Sequence, residues 1–126
     1  MIIEVLITNN PLALPVKEHV PSGAIARFTG IVRPEENGAQ ISALIYEAYE
    51  PMATQTIQHI LKILHIEHGF DSARVHHRLG TIPVGEAAII IEVTSKHRAA
   101  AFAVVSEFMD RLKIDVPIWK VKAVQS

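Results

Sequence analysis

The chain has 126 residues, 49% apolar and 20% charged, with twelve basic against thirteen acidic side chains and a formal net charge of −1. That balance suits one soluble domain, residues 1–126, and argues against general nucleic-acid binding, which needs a surplus of Lys and Arg on one face. There is no cysteine, which excludes disulfides, thiolate metal sites and cysteine nucleophiles, so any sulfur chemistry must import its sulfur.

Residues 2–8 (IIEVLIT) are β-branched and apolar and predict a buried strand. The chain start has neither the basic lead-in of a signal peptide nor an apolar run long enough for a membrane span, so the cytoplasm is the expected location. Asn9-Asn10-Pro11 ends this strand, and 12–20 is ambiguous, with a short helix as one option. Ser22-Gly23 opens a second strand, Ala24 to Val32, followed by the turn-rich PEENG at 34–38. A third strand, 40–49 (QISALIYEAY), is expected to pair with the second as a hairpin across that short connection.

From Pro51 to His68 the pattern turns helical. Met52, Thr56, Ile60, Ile63 and Leu64 recur at helical steps, Pro51 suits a first turn, and Gly69 stands just past the end. A strand from Ala73 to Leu79 follows, then GTIPVGE as a loop, then AAIIIEVTS (87–95) as the strongest strand. Ser95 is the candidate N-cap of a helix from Lys96 to Lys113, whose apolar stripe is predicted as Phe102, Val105, Met109 and Leu112. A short strand, Ile118 to Val124, closes the chain. Hairpins rather than regular βαβ alternation predict an α+β domain with a mainly antiparallel sheet and packed helices.

Seven histidines raise the question of a metal. His65 and His68 can share a helix face, but no HExxH pattern exists and His76 and His77 point to opposite faces of a strand. No metal site or cofactor is expected, and the histidines read as surface or half-buried. Gly30, Gly80 and Gly85 form neither a GxGxxG nor a P-loop, and there is no GxSxG elbow.

The cations are more informative. Arg33 ends a strand just before Pro34, and His97-Arg98 stand at a helix N-terminus, where free N–H groups favour an anion. Lys113 ends that helix, and Lys120 and Lys122 follow the turn IDVP (114–117). Each alone has the ordinary reading of a solvated charge; together, in a chain of near-zero net charge, they point to an anionic ligand such as a phosphate. Two ammonium groups brought close disfavour each other's charge, which makes Lys113 or Lys120 a candidate nucleophile or proton carrier. His97 and Lys113 are separated by roughly 24 Å along one helix, so no small ligand touches both within one chain. Either they serve different sites, or a second copy brings its helix N-terminus to the first copy's helix C-terminus in a symmetric dimer with two composite sites.

Taken in order, FTGIVR (28–33), YEAY (46–49) followed by Met52, HRLG with GE (77–86), SKHRAAAF (95–102) and MDRLKIDVPIWK (109–120) resemble the large, catalytic subunit of molybdopterin synthase. The match covers most of the chain, from about Gly23 to Lys120. The resemblance implies an α/β hammerhead-type fold and a homodimer that binds two copies of a small ubiquitin-like sulfur-carrier subunit, making a heterotetramer. It implies sulfur transfer from the carrier's C-terminal thiocarboxylate to cyclic pyranopterin monophosphate, forming molybdopterin. Lys113 and Lys120 would be the catalytic lysines, Arg33 and Met109 would line the same pocket, and His97 and Arg98 would bind substrate from the other protomer. Lys122 stands where the family commonly carries Glu, and the sequence ends at Ser126, before a tail common in relatives. A second reading attaches to those two departures: a dimeric scaffold that docks the carrier with reduced or lost turnover.

Overall fold

The structure is a computed structural model that describes residues 1–16 and 21–126. Its first sheet has the order β1-β5-β7-β2, formed by β1 (Ile2–Thr8), β2 (Ala24–Ile31), β5 (Ser72–Arg78) and β7 (Ala87–Ser95). β1 runs parallel to β5, while β5–β7 and β2–β7 are antiparallel. The second sheet is built around β4 (Ala39–Ala48), which pairs antiparallel with β3 (Glu35–Glu36), β6 (Gly80–Pro83) and β8 (Ile118–Gln125). The architecture is the expected α+β one, with mainly antiparallel sheets and two packed helices.

Strand alternation gives the first sheet two different faces. Ala26, Ala73, Val75, Ile89, Ile91 and Val93 point toward the helices and form the core with them. On the far face the carboxylate of Glu92, 1% exposed, accepts hydrogen bonds from Arg27 (3.0 Å) and Arg74 (2.5 and 3.2 Å). The same two guanidinium groups donate to the carbonyls of Leu14 and Pro15 and so tie the segment after β1 across that face.

Helix α1 (Met52–His68) starts after Pro51 and stops at Gly69, whose φ of 70° is a left-handed conformation that glycine adopts without a Cβ penalty. Its buried residues are Ala53, Ile57, Ile60, Leu61 and Leu64, so Ile60 and Leu64 of the expected stripe hold while Met52 is exposed. Helix α2 (Arg98–Asp115) buries Ala101, Val104, Phe108 and Leu112. Leu112 of the predicted stripe holds, but the rest is rotated by about one residue: Phe102 is 64% exposed, and Val105 and Met109 are only partly buried. The sequence AFAVVSEFM offers apolar residues at two adjacent phases, and the phase that places small Ala101 against the sheet lets the helix approach closely.

Three further expectations are corrected, and a fourth segment was left open. β4 is not the hairpin partner of β2; β2 pairs with β7 over its whole length. GTIPVGE is not all loop, because Gly80–Pro83 forms an edge strand on β4. Ser95 belongs to β7, and the residue that caps α2 is His97, in extended conformation and without a side-chain cap. No helix spans residues 11–16, and 17–20, the rest of the ambiguous segment, lie outside the described residues.

Candidate active site

A cleft of about 580 Å³ opens at the seam between the two sheets, beside the C-terminal turns of α2. β2 supplies one wall. Phe28 and Gly30 alternate onto it, and Gly30 is needed there because a Cβ would come within 2.9 Å of the Ile89 side chain. The register shifts between Gly30 and Ile31, and hydrogen bonds from Val32 N–H to Glu86 O (3.0 Å) and from Gly85 N–H to Val32 O (2.8 Å) hold the strand's exit. That exit delivers Arg33 to the cleft mouth.

The opposite wall is the second sheet. Leu44 and Tyr46 of β4 face the cleft, and Lys120 of β8 joins them because it is the direct cross-strand partner of Tyr46. Next to that pair the ladder is irregular: Ile45 is opposite Lys122, so Val121 is an extra residue on β8. The bulge places Lys122 across from Ile45 rather than Leu44, exposed and outside the cleft lining. Lys122 therefore adds no charge to this pocket's wall.

Helix α2 supplies the third side. Met109, Leu112 and Lys113, three and four residues apart, line the cleft from its last turns. The helix ends where Val116 turns extended, its N–H returning to Leu112 O, and Pro117 leads into β8. Helix end, turn and returning strand thus bring Lys113 and Lys120 to one pocket. Arg33, Lys113 and Lys120 face two carboxylates there, Glu35 and Glu36, leaving an excess of positive charge. Lys120 Nζ lies 2.8 Å from a carboxylate oxygen of Glu36.

Of the six residues singled out from the sequence, Arg33, Met109, Lys113 and Lys120 are brought together. His97 and Arg98 lie at the other end of α2, exposed and separated from Lys113 by nearly the whole of an 18-residue helix, about 24 Å from His97 at 1.5 Å per residue. Three lining residues had no such signal. Glu36 was part of a turn-rich run, and Tyr46 and His77 belonged to the YEAY and HRLG motifs without a role. His76 and His77 are both buried, at 8% and 4% exposure, which corrects the surface or half-buried reading of the histidines. His76 Nε2 contacts Glu4, whereas His77 lines the cleft.

Among the described residues one group has metal-capable geometry: Glu67, His68 and Glu107. It bridges α1 and α2 away from the cleft. His68 contacts Glu107, and Arg111 approaches Glu67 at 3.5 Å, so Glu67 has a guanidinium neighbour of its own.

Fold and cleft together define an α+β protein with a pocket lined by Arg33, Lys113 and Lys120. Residues 7–115 match the family model described as MoaE protein, and the chain belongs to that family. It is 45% identical over 98 residues to the molybdopterin synthase catalytic subunit of Homo sapiens, covering 78% of this chain and 52% of that one. To the Bacillus subtilis protein of the same name it is 43% identical over 99 residues, covering 79% and 63%. The match thus spans between half and two-thirds of the length of these relatives. The solved molybdopterin synthase from Staphylococcus aureus superposes with a TM-score of 0.84 at 30% identity, covering 98% of this chain and 90% of that one.

Proposed function

We propose that this chain, acting as a single cytoplasmic domain, is the catalytic subunit of a molybdopterin synthase. As a sulfurtransferase it would move sulfur from the C-terminal thiocarboxylate of a small ubiquitin-like carrier subunit to cyclic pyranopterin monophosphate. The observation that carries this reading is the convergence of Arg33, Met109, Lys113 and Lys120 on one cleft in a member of the MoaE family. The name shared by the curated relatives, a catalytic subunit, also describes a protein with at least one further subunit.

The proposed roles follow from charge and position. Lys113 and Lys120 hold and polarise the carrier's terminal carbonyl, stabilising the negative charge that develops when sulfur is transferred. Arg33 binds the substrate's phosphate from the cleft mouth. His97 and Arg98 contribute from a second protomer, since the length of α2 keeps them from their own chain's cleft. The assembly is then a homodimer carrying two carriers. Lys120 is the more critical lysine, because Pro117 and the β4–β8 ladder fix its backbone whereas Lys113 stands in the last turn of a helix. Glu36 holds its ammonium group at 2.8 Å.

The test is conversion of cyclic pyranopterin monophosphate with thiocarboxylated carrier. Lys120→Ala is expected to lower kcat on the order of 100-fold, and Lys113→Ala by less. Full activity in Lys120→Ala refutes the assignment. Carrier binding without product in the unsubstituted chain would favour the scaffold reading instead.

A further inference from the structure

One titratable side chain of the cleft has no part in these roles. His77 follows Ala73 and Val75 on the helix-side face of β5, and beyond the core that face runs into the cleft. Its Nδ1 lies 2.8 Å from the carbonyl oxygen of Arg78. A carbonyl only accepts, so Nδ1 carries the hydrogen and Nε2 of the neutral ring carries the lone pair. Among the described residues Nε2 has no hydrogen-bond partner, and the side chain lines the cleft. The edge of the ring meets Tyr46, with centroids 5.5 Å apart and planes at 67°. Tyr46 is in turn the cross-strand partner of Lys120. His77, Tyr46 and Lys120 therefore form a row across the cleft.

We propose that His77 is a catalytic base of this cleft, its Nε2 accepting a proton from the water that releases the spent carrier. This rests on the sulfur-transfer reading above. In that reaction a thiocarboxylate enters and a carboxylate leaves, so the carrier's acyl carbon must exchange sulfur for oxygen. At the stage when sulfur is bonded to both the acyl carbon and the substrate, water attacks the acyl carbon. The C–O bond forms as Nε2 takes the water proton, and the C–S bond breaks with its electron pair on sulfur. The imidazolium then returns the proton to the thiolate, so neither oxidant nor reductant is consumed. Lys113 and Lys120 face the oxyanion formed on the way.

The protonation state suits the task. Burial pushes the His77 imidazole below its ordinary value of 6.5, and the backbone hydrogen bond to Arg78 opposes this only in part. Arg33, Lys113 and Lys120 around the cleft add to the cost of an imidazolium, and Glu35 and Glu36 reduce it. The base is therefore free at neutral pH, and its contribution is lost as pH falls below 6.5.

His77→Asn tests this cleanly, because the amide can still donate to the Arg78 carbonyl while the Nε2 lone pair is gone. The expected result is a kcat lower on the order of 100-fold and a carrier KM unchanged within about twofold. The acid limb of the pH–rate profile should vanish, and mass spectrometry should detect an accumulating carrier–substrate adduct. A variant with wild-type kcat and an intact acid limb overturns the proposal. No product from the unsubstituted protein would refute the sulfur-transfer reading itself, a distinguishable failure. Should the variant not fold, ring ¹⁵N NMR of the unsubstituted protein decides. An Nδ1–H tautomer that titrates below 6.5 is expected, and an Nε2–H tautomer overturns the assignment.

Discussion

Phe108 and Phe102 stand six residues apart on α2, and truncating each in turn measures which face of that helix is packed. Phe108 is fully buried in the core between the helices and the first sheet, whereas Phe102 is 64% exposed. Phe108→Ala removes a ring from a site where the surrounding strands cannot collapse fully, and the expected loss is about 3–5 kcal/mol. Native domains are stable by only about 5–15 kcal/mol, so the variant stays folded at 25 °C but close to its limit. The melting temperature should fall by about 12–20 °C, at about 4 °C per kcal/mol for a domain of this size. Phe102→Ala is expected to cost less than about 0.5 kcal/mol. Urea titration followed by far-UV circular dichroism reads both, with the midpoint shifting and the slope unchanged. A Phe102→Ala cost equal to that of Phe108→Ala, and independent of protein concentration, would refute the face assignment. The consequence reaches the site, because a helix rotated onto Phe102 would swing Met109 and Lys113 away from the cleft.

Two further outcomes are expected. Lys122→Glu, which restores the charge common in the family, should leave turnover within about twofold, because the β8 bulge sets Lys122 opposite Ile45 and outside the cleft; a tenfold change in kcat would contradict that placement. Glu92→Gln leaves two guanidinium groups short of a counter-charge on the far face, and since Arg27 and Arg74 keep side-chain exposures of 25% and 14%, water offsets part of the loss. The expected destabilisation is about 2–3 kcal/mol with kcat unaltered, and a loss below about 1 kcal/mol in urea unfolding would mean the cluster contributes little.

Much of this protein was legible from local signals. Pro51 and Gly69 bound α1, because a missing N–H and a left-handed φ are properties of single residues. The β-branched run 87–95 is a strand buried along nearly its whole length, as its composition demanded. The charge separation along α2 was equally readable, since the rise of a helix sets the distance between His97 and Lys113. The motifs containing Arg33, Met109, Lys113 and Lys120 named residues that do share a cleft.

Other features depended on residues far away in the chain. The partner of β4 was misread because a short polar connection favours a hairpin locally, while the edge of the apolar strand β7 takes β2 along its whole length instead. Pro83 and Gly80 read as loop, yet an edge strand tolerates both, and β6 exists only because β4 offers its free edge. Two apolar phases on α2 were equivalent until the sheet chose the one presenting Ala101. Composition and periodicity determined most of the helices and strands and placed the candidate cations at their ends, since those preferences act within one turn or one strand. Tertiary structure alone decided which of those cations meet, that Lys122 turns away, and that His77 borders the cleft, because each follows from how distant faces pack to exclude water.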